Sequence, residues 1–341
     1  MLSVIRHARI RRASIHRVIK GVAIASLLAI AALSQAQSAD LQTIHVIALY
    51  PHLPIVIAKD HGLFTKYGVN VEVETVPSSD ALRERLANGK ADLAHAAADN
   101  AVAMVETAKV DVVLVMGGEG STNELIAQPE IHSVADLRGK TVIVDAPNTA
   151  YALQLKKILL LGGLKAGKDY EIKPIGATPV RLQAMRDHKE YAASILGPPT
   201  SILAKSAGFA SLGKTPELIG PYQATGAFVQ RSWAHDHPET LERYLAAYAE
   251  AQRWLLDPAN KSEVLALVKK QWHLSDDQAN ETYAIIAGHV WYEPDARFDL
   301  EGFKNVLKLR AEIEGQWAGQ PPSPDKYFDP TYYQQALAKI K

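Results

Sequence analysis

The chain has 341 residues and no cysteine. A domain of this size without disulfides must be stabilised by its apolar core, and no cysteine is present to carry a lipid anchor. The sequence also has no low-complexity tract and no repeat at the 20 to 50 residue periods of solenoids. The motifs H-E-x-x-H and G-x-S-x-G are missing too, so neither a zinc protease nor a serine hydrolase is indicated.

The first 36 residues have the pattern of a secretory signal peptide. Six basic residues and no acidic ones precede the apolar run 21–34, and Ser34-Gln35-Ala36 places small residues at the −3 and −1 positions. The run is too short for a membrane span, because 14 helical residues reach about 21 Å against a hydrocarbon core of roughly 30 Å. We expect cleavage after Ala36 and a freely soluble periplasmic protein, with the general and twin-arginine export routes both open.

Charge and length limit what the mature chain can be. The sequence carries 37 basic and 37 acidic residues, so loss of six basic residues with the leader leaves 31 against 37, a net charge of about −6. A nucleic-acid partner is therefore disfavoured. Removal of 36 residues from 341 leaves 305, which is enough for two domains with their own cores.

The stretch 44–74 reads as a strand, a polar loop, a short helix from Pro54 to Gly62 and a second strand, 69–73. The loop is Tyr50-Pro51-His52. It follows the carboxyl end of the first strand and faces a helix N-terminus, where open α/β sheets bind ligands. An aromatic face and a switchable donor suit a planar or anionic solute, so these residues are predicted ligand contacts.

Alternating strand and helix segments continue to residue 229 and predict an α/β fold with two mostly parallel sheets flanked by helices. The further strand-like segments are 92–96, 110–116, 124–127, 141–144, 192–196 and 227–229. The helices are expected at 79–89 (capped by Ser79 or Asp80), 101–109, 149–161, from 178, 238–256, 261–272, from 275, 300–317 and 332–340.

Two glycine-containing connections are predicted to be crossovers between lobes, one at 117–123 and one near 220–225. They divide the chain into one lobe formed by 37–120 and 224–341 and a second lobe formed by 121–223. Glu119, in the first crossover, is expected to be a solvated or hinge charge rather than a ligand contact.

Two helix starts have residues that can serve as caps or as ligand contacts. Asn148 and Thr149, followed by Ala150, could hold an anion through free backbone N–H groups, and the same geometry describes a simple cap. Asp99 and Asn100 have the same two interpretations. In a pocket, Asp99 would select a ligand with N–H or O–H donors.

Two segments match known binding motifs, but their neighbouring residues argue against the corresponding sites. Residues 208–215 satisfy G-x-x-x-x-G-K-[ST], but Pro216 and Gly220-Pro221 prevent the sustained helix that a phosphate loop needs. In His235-Asp236-His237 the adjacent side chains point apart, and Pro238 makes the segment a helix entry. The sequence therefore predicts no nucleotide site, no metal site and no cofactor.

Five segments carry a family pattern: A-K-D-H-G-L-F-T-K-Y-G at 58–68, L-A-N-G-K-A-D-L at 86–93, S-V-A-D-L-R-G-K-T-V-I-V at 133–144, L-G-P-P at 196–199, and 233–244. In this order they resemble the periplasmic substrate-binding proteins of ABC importers for nitrate, sulfonate, taurine and the thiamine pyrimidine precursor. One departure is Glu190-Tyr191-Ala192-Ala193, where the family usually has an Asp-Ala pair.

The resemblance implies a type II periplasmic binding protein, two α/β lobes that close on a small solute. It implies a non-catalytic monomer that delivers a sulfonate- or taurine-like anion, or a pyrimidine-like compound, to an ABC permease in the inner membrane. The residues and the resemblance together predict these ligand contacts: Tyr50, Pro51, His52, Asp99, Asn100, Gly118, Asn148, Thr149, Ala150, Pro198 and Thr200.

Two other functions stay open. The fold of the family also occurs in a thiamine-pyrimidine synthase, and an enzyme of that kind would need a reactive His or Lys and a cofactor in the cleft. His52 and His95 are the nearby histidines, and the signal peptide argues against a biosynthetic role. The second alternative is a sensory protein that presents its ligand to a receptor.

Overall fold

The computed structural model of the chain describes residues 41–289 and 291–340. The predicted signal peptide and the cleavage site after Ala36 lie outside the described residues. Within them, runs of aliphatic and β-branched residues form two five-stranded sheets, and helices flank both. The predicted α/β fold class is confirmed.

The first sheet contains β1 Gln42–Ala48, β2 Val69–Thr75, β3 Leu93–Ala97, β4 Val112–Met116 and β10 Thr225–Gln230. The strand order across it is β2-β1-β3-β10-β4. β1 runs parallel to β3, whereas β10 runs antiparallel to β3 and β4. Every residue of β4 is buried, which explains its unbroken apolar sequence.

The second sheet contains β5 Glu124–Ala127, β6 Thr141–Val144, β7 Glu171–Pro174, β8 Tyr191–Leu196 and β9 Ala210–Lys214. Its order is β7-β6-β8-β5-β9, with β6 parallel to β7 and β8, and β5 antiparallel to β8 and β9. The sequence analysis missed β7 and β9. Both are edge strands with no buried residue, so their apolar pattern is weak.

One strand in each sheet enters from a crossover and runs against its neighbours. β10 begins at Thr225 opposite Ala97, the last residue of β3, and β5 begins at Glu124 opposite Leu196, the last residue of β8. A chain that arrives at the carboxyl edge of a sheet must run back through it. The predicted return of 227–229 to the first sheet is thus confirmed, and both crossovers lie at the carboxyl ends, while the lobe limits 37–120, 121–223 and 224–341 stay a prediction.

Most helices lie at the predicted positions, but the sequence analysis missed the four short helices Leu63–Lys66, Thr200–Ser206, Thr215–Ile219 and Arg231–Asp236. α4 continues as a π-helical turn over Met104–Ala108. The helices are α1 Leu53–Asp60, α2 Leu63–Lys66, α3 Ser79–Ala87, α4 Ala98–Ala103, α5 Ala150–Leu161, α6 Thr178–Asp187, α7 Thr200–Ser206, α8 Thr215–Ile219, α9 Arg231–Asp236, α10 Pro238–Leu256, α11 Lys261–Trp272, α12 Asp276–Ala287, α13 Leu300–Glu314 and α14 Thr331–Lys339.

The long helix α10 packs its apolar face into the core of the first sheet. The predicted core positions Leu241, Leu245, Tyr248, Ala249 and Leu255 are all buried. Their spacing of three, four and seven residues places them on one face of the helix. Burial of each large aliphatic side chain stabilises the fold by about 1.5–3 kcal/mol relative to exposure.

One local prediction needs correction. Ser78, rather than Ser79 or Asp80, caps α3 by accepting a hydrogen bond from the backbone N–H of Ala81.

Most of the G-x-x-x-x-G-K-T segment forms strand β9, and the helix after it spans only Thr215–Ile219. The rejection of a phosphate loop is therefore confirmed, because no sustained helix begins at Lys214.

No helix within residues 41–289 and 291–340 combines the length and the apolar composition needed to cross a bilayer.

A buried ion pair joins helices α4 and α13. Arg310 Nη1 lies 3.1 Å from Asp99 Oδ1, and both side chains are at most 1% exposed. Burial raises the pKa of the Asp99 carboxyl, and the charges of Arg310 and Arg83 lower it only in part. Asp99 is neither a cap nor a cleft residue: α4 begins one residue earlier, after Ala97, and its first turn directs Asp99 inward.

Replacement of Arg310 by Met should lower the free energy of unfolding by about 3–5 kcal/mol, because Asp99 would remain as an unpaired buried charge. Urea unfolding followed by circular dichroism measures the loss. Lys304→Met on the same helix is the control, since its ion pair with Glu301 is 51% and 72% exposed. The control should lose less than about 1 kcal/mol. Equal losses in the two variants would contradict the importance of the buried pair.

Candidate functional site

A cavity of about 370 Å³ lies at the carboxyl ends of the two sheets. Residues from both sheets line it: Tyr50 follows β1, Asp145 follows β6, and Pro198 follows β8. Four aromatic side chains form much of the wall, namely Tyr50, Tyr151, Trp272 and Trp291. A concave, mostly apolar pocket with a few polar groups is typical of a small-molecule site.

Six of the predicted contact residues line this cavity. They come from four places at which a strand gives way to a helix, so the strand-end rule located them. They are Tyr50, Asn100, Thr149, Ala150, Pro198 and Thr200.

Five predicted contact residues do not line the cavity. His52 is 1% exposed and faces Glu119, and Asp99 faces Arg310. Asn148 offers its carbonyl to Arg310 at 3.4 Å, and Gly118 offers its carbonyl to Gln252 at 3.4 Å. Pro51 also lies outside the wall. For His52 and Asp99, the direction of the side chain was decided by a partner distant in the sequence.

Glu119 is the centre of a buried hydrogen-bonded cluster in the cavity wall. Tyr50 donates its hydroxyl to Oε2 at 2.6 Å, His52 Nδ1 lies 2.8 Å from Oε1, and Tyr292 donates to Oε1 at 3.4 Å. Glu119 is 3% exposed, so the solvated alternative of its prediction is wrong, whereas a role as a hinge charge stays a prediction. Its position near the start of the first crossover, just after the carboxyl end of β4, was the signal that could have identified it.

The cluster fixes the protonation of Glu119 and of Tyr50. Burial raises the pKa of Glu119. The charge and hydrogen bond of His52 and the hydrogen bond of Tyr50 lower this pKa by more than burial raises it, so the net pKa is below its ordinary value. Burial and the neighbouring Glu119 hold the pKa of Tyr50 well above its ordinary value. Glu119 is therefore a carboxylate, and Tyr50 keeps the proton that it donates to Glu119.

Behind Glu119 the cluster continues into the core through His95. Its ring stacks on Tyr248 with centroids 4.7 Å apart and lies 5.4 Å from the ring of His52. Burial, with the charge of His52, holds the pKa of His95 well below its ordinary value, so the ring is neutral. Neither ring nitrogen has a hydrogen-bond partner within the described ranges, which makes His95 a packed aromatic residue of the core.

Asp145 is a second carboxylate in the cavity wall and joins the two sheets. Ser79, at the start of α3, donates to Asp145 Oδ2 at 3.0 Å, and Thr149 donates to Oδ1 at 2.5 Å. Sequence reasoning missed Asp145, although it follows Val144 at the end of a predicted strand. The contact from Ser79 crosses 66 positions of sequence and exists only because the two sheets face each other.

Two amide side chains of the wall retain unused hydrogen-bonding atoms. Asn123 Nδ2 donates to Gln154 Oε1 at 3.1 Å, which orients the amide and leaves Gln154 Nε2 as a free donor. Asn100 Oδ1 likewise has no partner in the described part of the chain. Gln154 and Asn100 are each 1% exposed. A buried polar atom without a hydrogen-bond partner destabilises the fold unless a ligand or water satisfies it.

No group of three or more His, Asp or Glu side chains within 41–289 and 291–340 could hold a metal ion. In the His235-Asp236-His237 segment, the His235 side chain is 86% exposed and its Nδ1 lies 3.0 Å from Asp236 Oδ1.

The pH dependence of stability should report the Glu119 cluster. A pKa lowered in the folded state stabilises the protein above the ordinary value of 4.5, and this contribution is lost as the pH falls through the folded value. The free energy of unfolding of wild type should therefore exceed that of Glu119→Gln by about 1.5–3 kcal/mol at neutral pH. The difference should shrink below pH 4.5.

Urea unfolding of both proteins from pH 7 to pH 3 measures this difference. Glu72→Gln is the control, because the Glu72 side chain is 63% exposed, and its difference from wild type should stay near zero throughout. A Glu119→Gln difference that grows as the pH falls would contradict the assignment of Glu119 as a stabilised carboxylate.

Comparison with known proteins places this geometry in context. The nitrate/nitrite binding protein NrtA of Synechocystis sp. PCC 6803 is 24% identical over 251 residues, which are 66% of this chain and 56% of that protein. The chain thus spans about half the length of the curated relatives it matches. The solved structure of the periplasmic nitrate-binding protein NrtA from Synechocystis superposes with a TM-score of 0.72 at 15% identity, covering 89% of this chain and 90% of that one.

The alkanesulfonate-binding protein SsuA from Xanthomonas axonopodis pv. citri, solved with bound MOPS, gives a TM-score of 0.66 at 17% identity over 83% of this chain and 94% of that one. These superpositions confirm the predicted type II periplasmic binding protein fold. The NMT1-like family model matches residues 35–269, more than half of the chain. With the two-lobed fold and the cavity at the strand ends, this match shows that the chain belongs to the NMT1-like family, of the nitrate- and sulfonate-binding type.

Proposed function

We propose that the protein is the solute-binding component of an ABC importer. It would be exported to the periplasm, capture a small organic solute in the cavity and deliver it to a permease in the inner membrane, acting as a monomer. The observation that carries the proposal is the cavity of about 370 Å³ whose walls come from the strand ends of both sheets. Binding proteins close their lobes on a solute held in such a position.

The walls suit a planar organic solute. The rings of Tyr50, Tyr151, Trp272 and Trp291 can stack on a flat ligand or bury its apolar part. Such rings can contact the organic part of either solute class suggested by the sequence, the tail of a sulfonate- or taurine-like compound or a pyrimidine-like ring. An aromatic wall gives a small inorganic ion such as nitrate little to contact.

Closure would depend on contacts that connect the two sheets. Ser79 meets Asp145 at the cavity, and Lys205 on α7 lies 3.2 Å from Glu281 on α12. The crossovers are held together where Gly120 pairs with Gln223 as an antiparallel bridge. A solute that contacts both walls would add its interactions to these, and its affinity would report the difference between the closed and open states.

A binding role is favoured over an enzymatic one by the positions of His52 and His95, the two histidines that the sequence analysis considered for catalysis. His52 is paired with Glu119 through its Nδ1 atom. His95 is neutral and 0% exposed. Neither lines the cavity, so neither is placed to act as an acid, a base or a nucleophile on a bound solute. Incubation with a bound solute followed by product analysis separates the two functions, and a changed product would favour the enzyme.

A sensory role is the remaining alternative to import. Deletion of the gene should abolish uptake of the solute if the protein feeds a permease. Intact uptake together with a lost transcriptional or chemotactic response would favour a sensory protein.

The solute can be found by thermal shift. The exported protein is screened against sulfonates, carboxylates, nitrate, amino acids and pyrimidines, and a ligand at 100 times its dissociation constant should stabilise the fold by about 2.7 kcal/mol. Absence of any shift, from a preparation that unfolds cooperatively in urea, would contradict a solute-binding role.

Tyr50→Ala should weaken binding of the solute found in that screen by about 1–3 kcal/mol, because buried aromatic contact area is lost. Isothermal calorimetry measures the change. Tyr332→Ala, on helix α14 and outside the cavity wall, is the matched control and should bind as wild type does. An unchanged dissociation constant for Tyr50→Ala would remove Tyr50 from the site.

A further inference from the structure

Building on the proposed solute-binding function, we propose that the cavity selects a solute bearing N–H donors, uncharged or cationic, and rejects oxoanions. The recognised group would be an amine or amidine on a planar ring, and Asp145 would accept its hydrogen bond. The observation behind the proposal is that the cavity wall carries two buried carboxylates, Glu119 and Asp145. Three hydroxyl groups of the wall donate their protons to these carboxylates.

Three hydroxyl groups of the wall are directed at carboxylates rather than at the cavity. Tyr50 donates to Glu119, while Ser79 and Thr149 donate to Asp145. A hydroxyl has a single proton to donate, so these groups can offer a ligand only lone pairs. The other lining threonines are neutral and carry no charge to balance an anion.

Asp145 has the capacity to accept more hydrogen bonds. A carboxylate has about four lone-pair positions, and Ser79 and Thr149 fill one on each oxygen. Glu119 accepts three side-chain hydrogen bonds, so it contributes mainly negative potential. Both residues line the cavity and are at most 8% exposed, where charge is weakly screened.

The positive groups near the cavity are either bonded within the protein or exposed to solvent. Arg181 lies behind Tyr151, with its guanidinium carbon 4.8 Å from the ring centroid, and donates four hydrogen bonds within the protein. The positive charge of Arg181 interacts with the negative charge of Asp145. His52 faces Glu119 rather than the cavity. Arg186 and His273 also line the cavity, but both are exposed at its rim.

The start of helix α5 already has an anion beside it. Asp145 accepts the hydroxyl proton of Thr149, the residue immediately before the helix, so its carboxylate interacts with the positive end of the helix dipole. An oxoanion placed there would meet the negative charge of Asp145 in a poorly solvated pocket. The anion-binding interpretation of Asn148, Thr149 and Ala150 is therefore disfavoured.

The two unused amide atoms extend the same selectivity. Asn100 Oδ1 is a free acceptor and Gln154 Nε2 a free donor, both on residues that line the cavity. An amino group next to a ring nitrogen presents a donor beside an acceptor, which matches this mixed pair as well as Asp145. A sulfonate or nitrate presents acceptors alone and would leave Asn100 and Asp145 unsatisfied.

Ligand preference of the unmodified protein is the primary test. Calorimetric titrations with 4-aminopyrimidine and benzamidine are compared with benzenesulfonate, methanesulfonate and nitrate. The better amine probe should bind at least about tenfold tighter than benzenesulfonate, which has a similar ring and the opposite charge. Tighter binding of any of the three anions, or no binding of either amine, overturns the proposal. An anion that binds in the cleft would still leave the solute-binding function standing.

The variant Asp145→Asn tests the residue assignment. Its affinity for the preferred amine probe should fall at least about tenfold, while its affinity for benzenesulfonate stays the same or improves. Asp236→Asn, whose side chain is 67% exposed and outside the wall, is the control and should leave both affinities unchanged. Amine binding by Asp145→Asn within about twofold of wild type overturns the role of Asp145. If the variant fails to fold, the ranking measured on the unmodified protein decides the proposal.

Discussion

The cleft depends on the hydrogen bonds and the ion pair made by the buried carboxylate of Glu119. It receives hydrogen bonds from Tyr50 after β1 and from Tyr292 near the carboxyl end of the chain, and it is paired with His52. A carboxylate at this depth is stable only when its charge is compensated. The three partners therefore fix the first crossover against the loop after β1, and that loop supplies one wall of the cavity.

The same requirement sets the chemistry that the cavity presents. Hydroxyl protons of Tyr50, Ser79 and Thr149 stabilise the two carboxylates, so these three hydroxyl groups offer the cavity only lone pairs. The fold agrees with that of nitrate- and sulfonate-binding proteins, but a fold shared at 15–17% identity does not carry the ligand with it. The polar groups of the site, rather than the two-lobed framework, argue for a donor-bearing solute.

Local structure was largely predictable because it depends on neighbours in sequence. The strand Thr141–Val144 was located residue for residue, and α10 and α11 kept their predicted limits, Pro238–Leu256 and Lys261–Trp272. Each has a clear apolar period or a Pro and Gly boundary. The missed strands β7 and β9 lie at a sheet edge with exposed side chains, so they lack the apolar signal on which such predictions rest.

By itself, the sequence determined the α/β winding, the strand ends at which ligand contacts gather, and six residues that line the cavity. Only the tertiary structure decided which charges face the cavity. Glu119 meets Tyr50 across 69 positions, Asp145 meets Ser79 across 66, and Asp99 meets Arg310 across 211. These pairs form because two sheets and the final helices are brought together, and hydrophobic patterning specifies that a surface is buried without specifying which distant polar group will lie opposite.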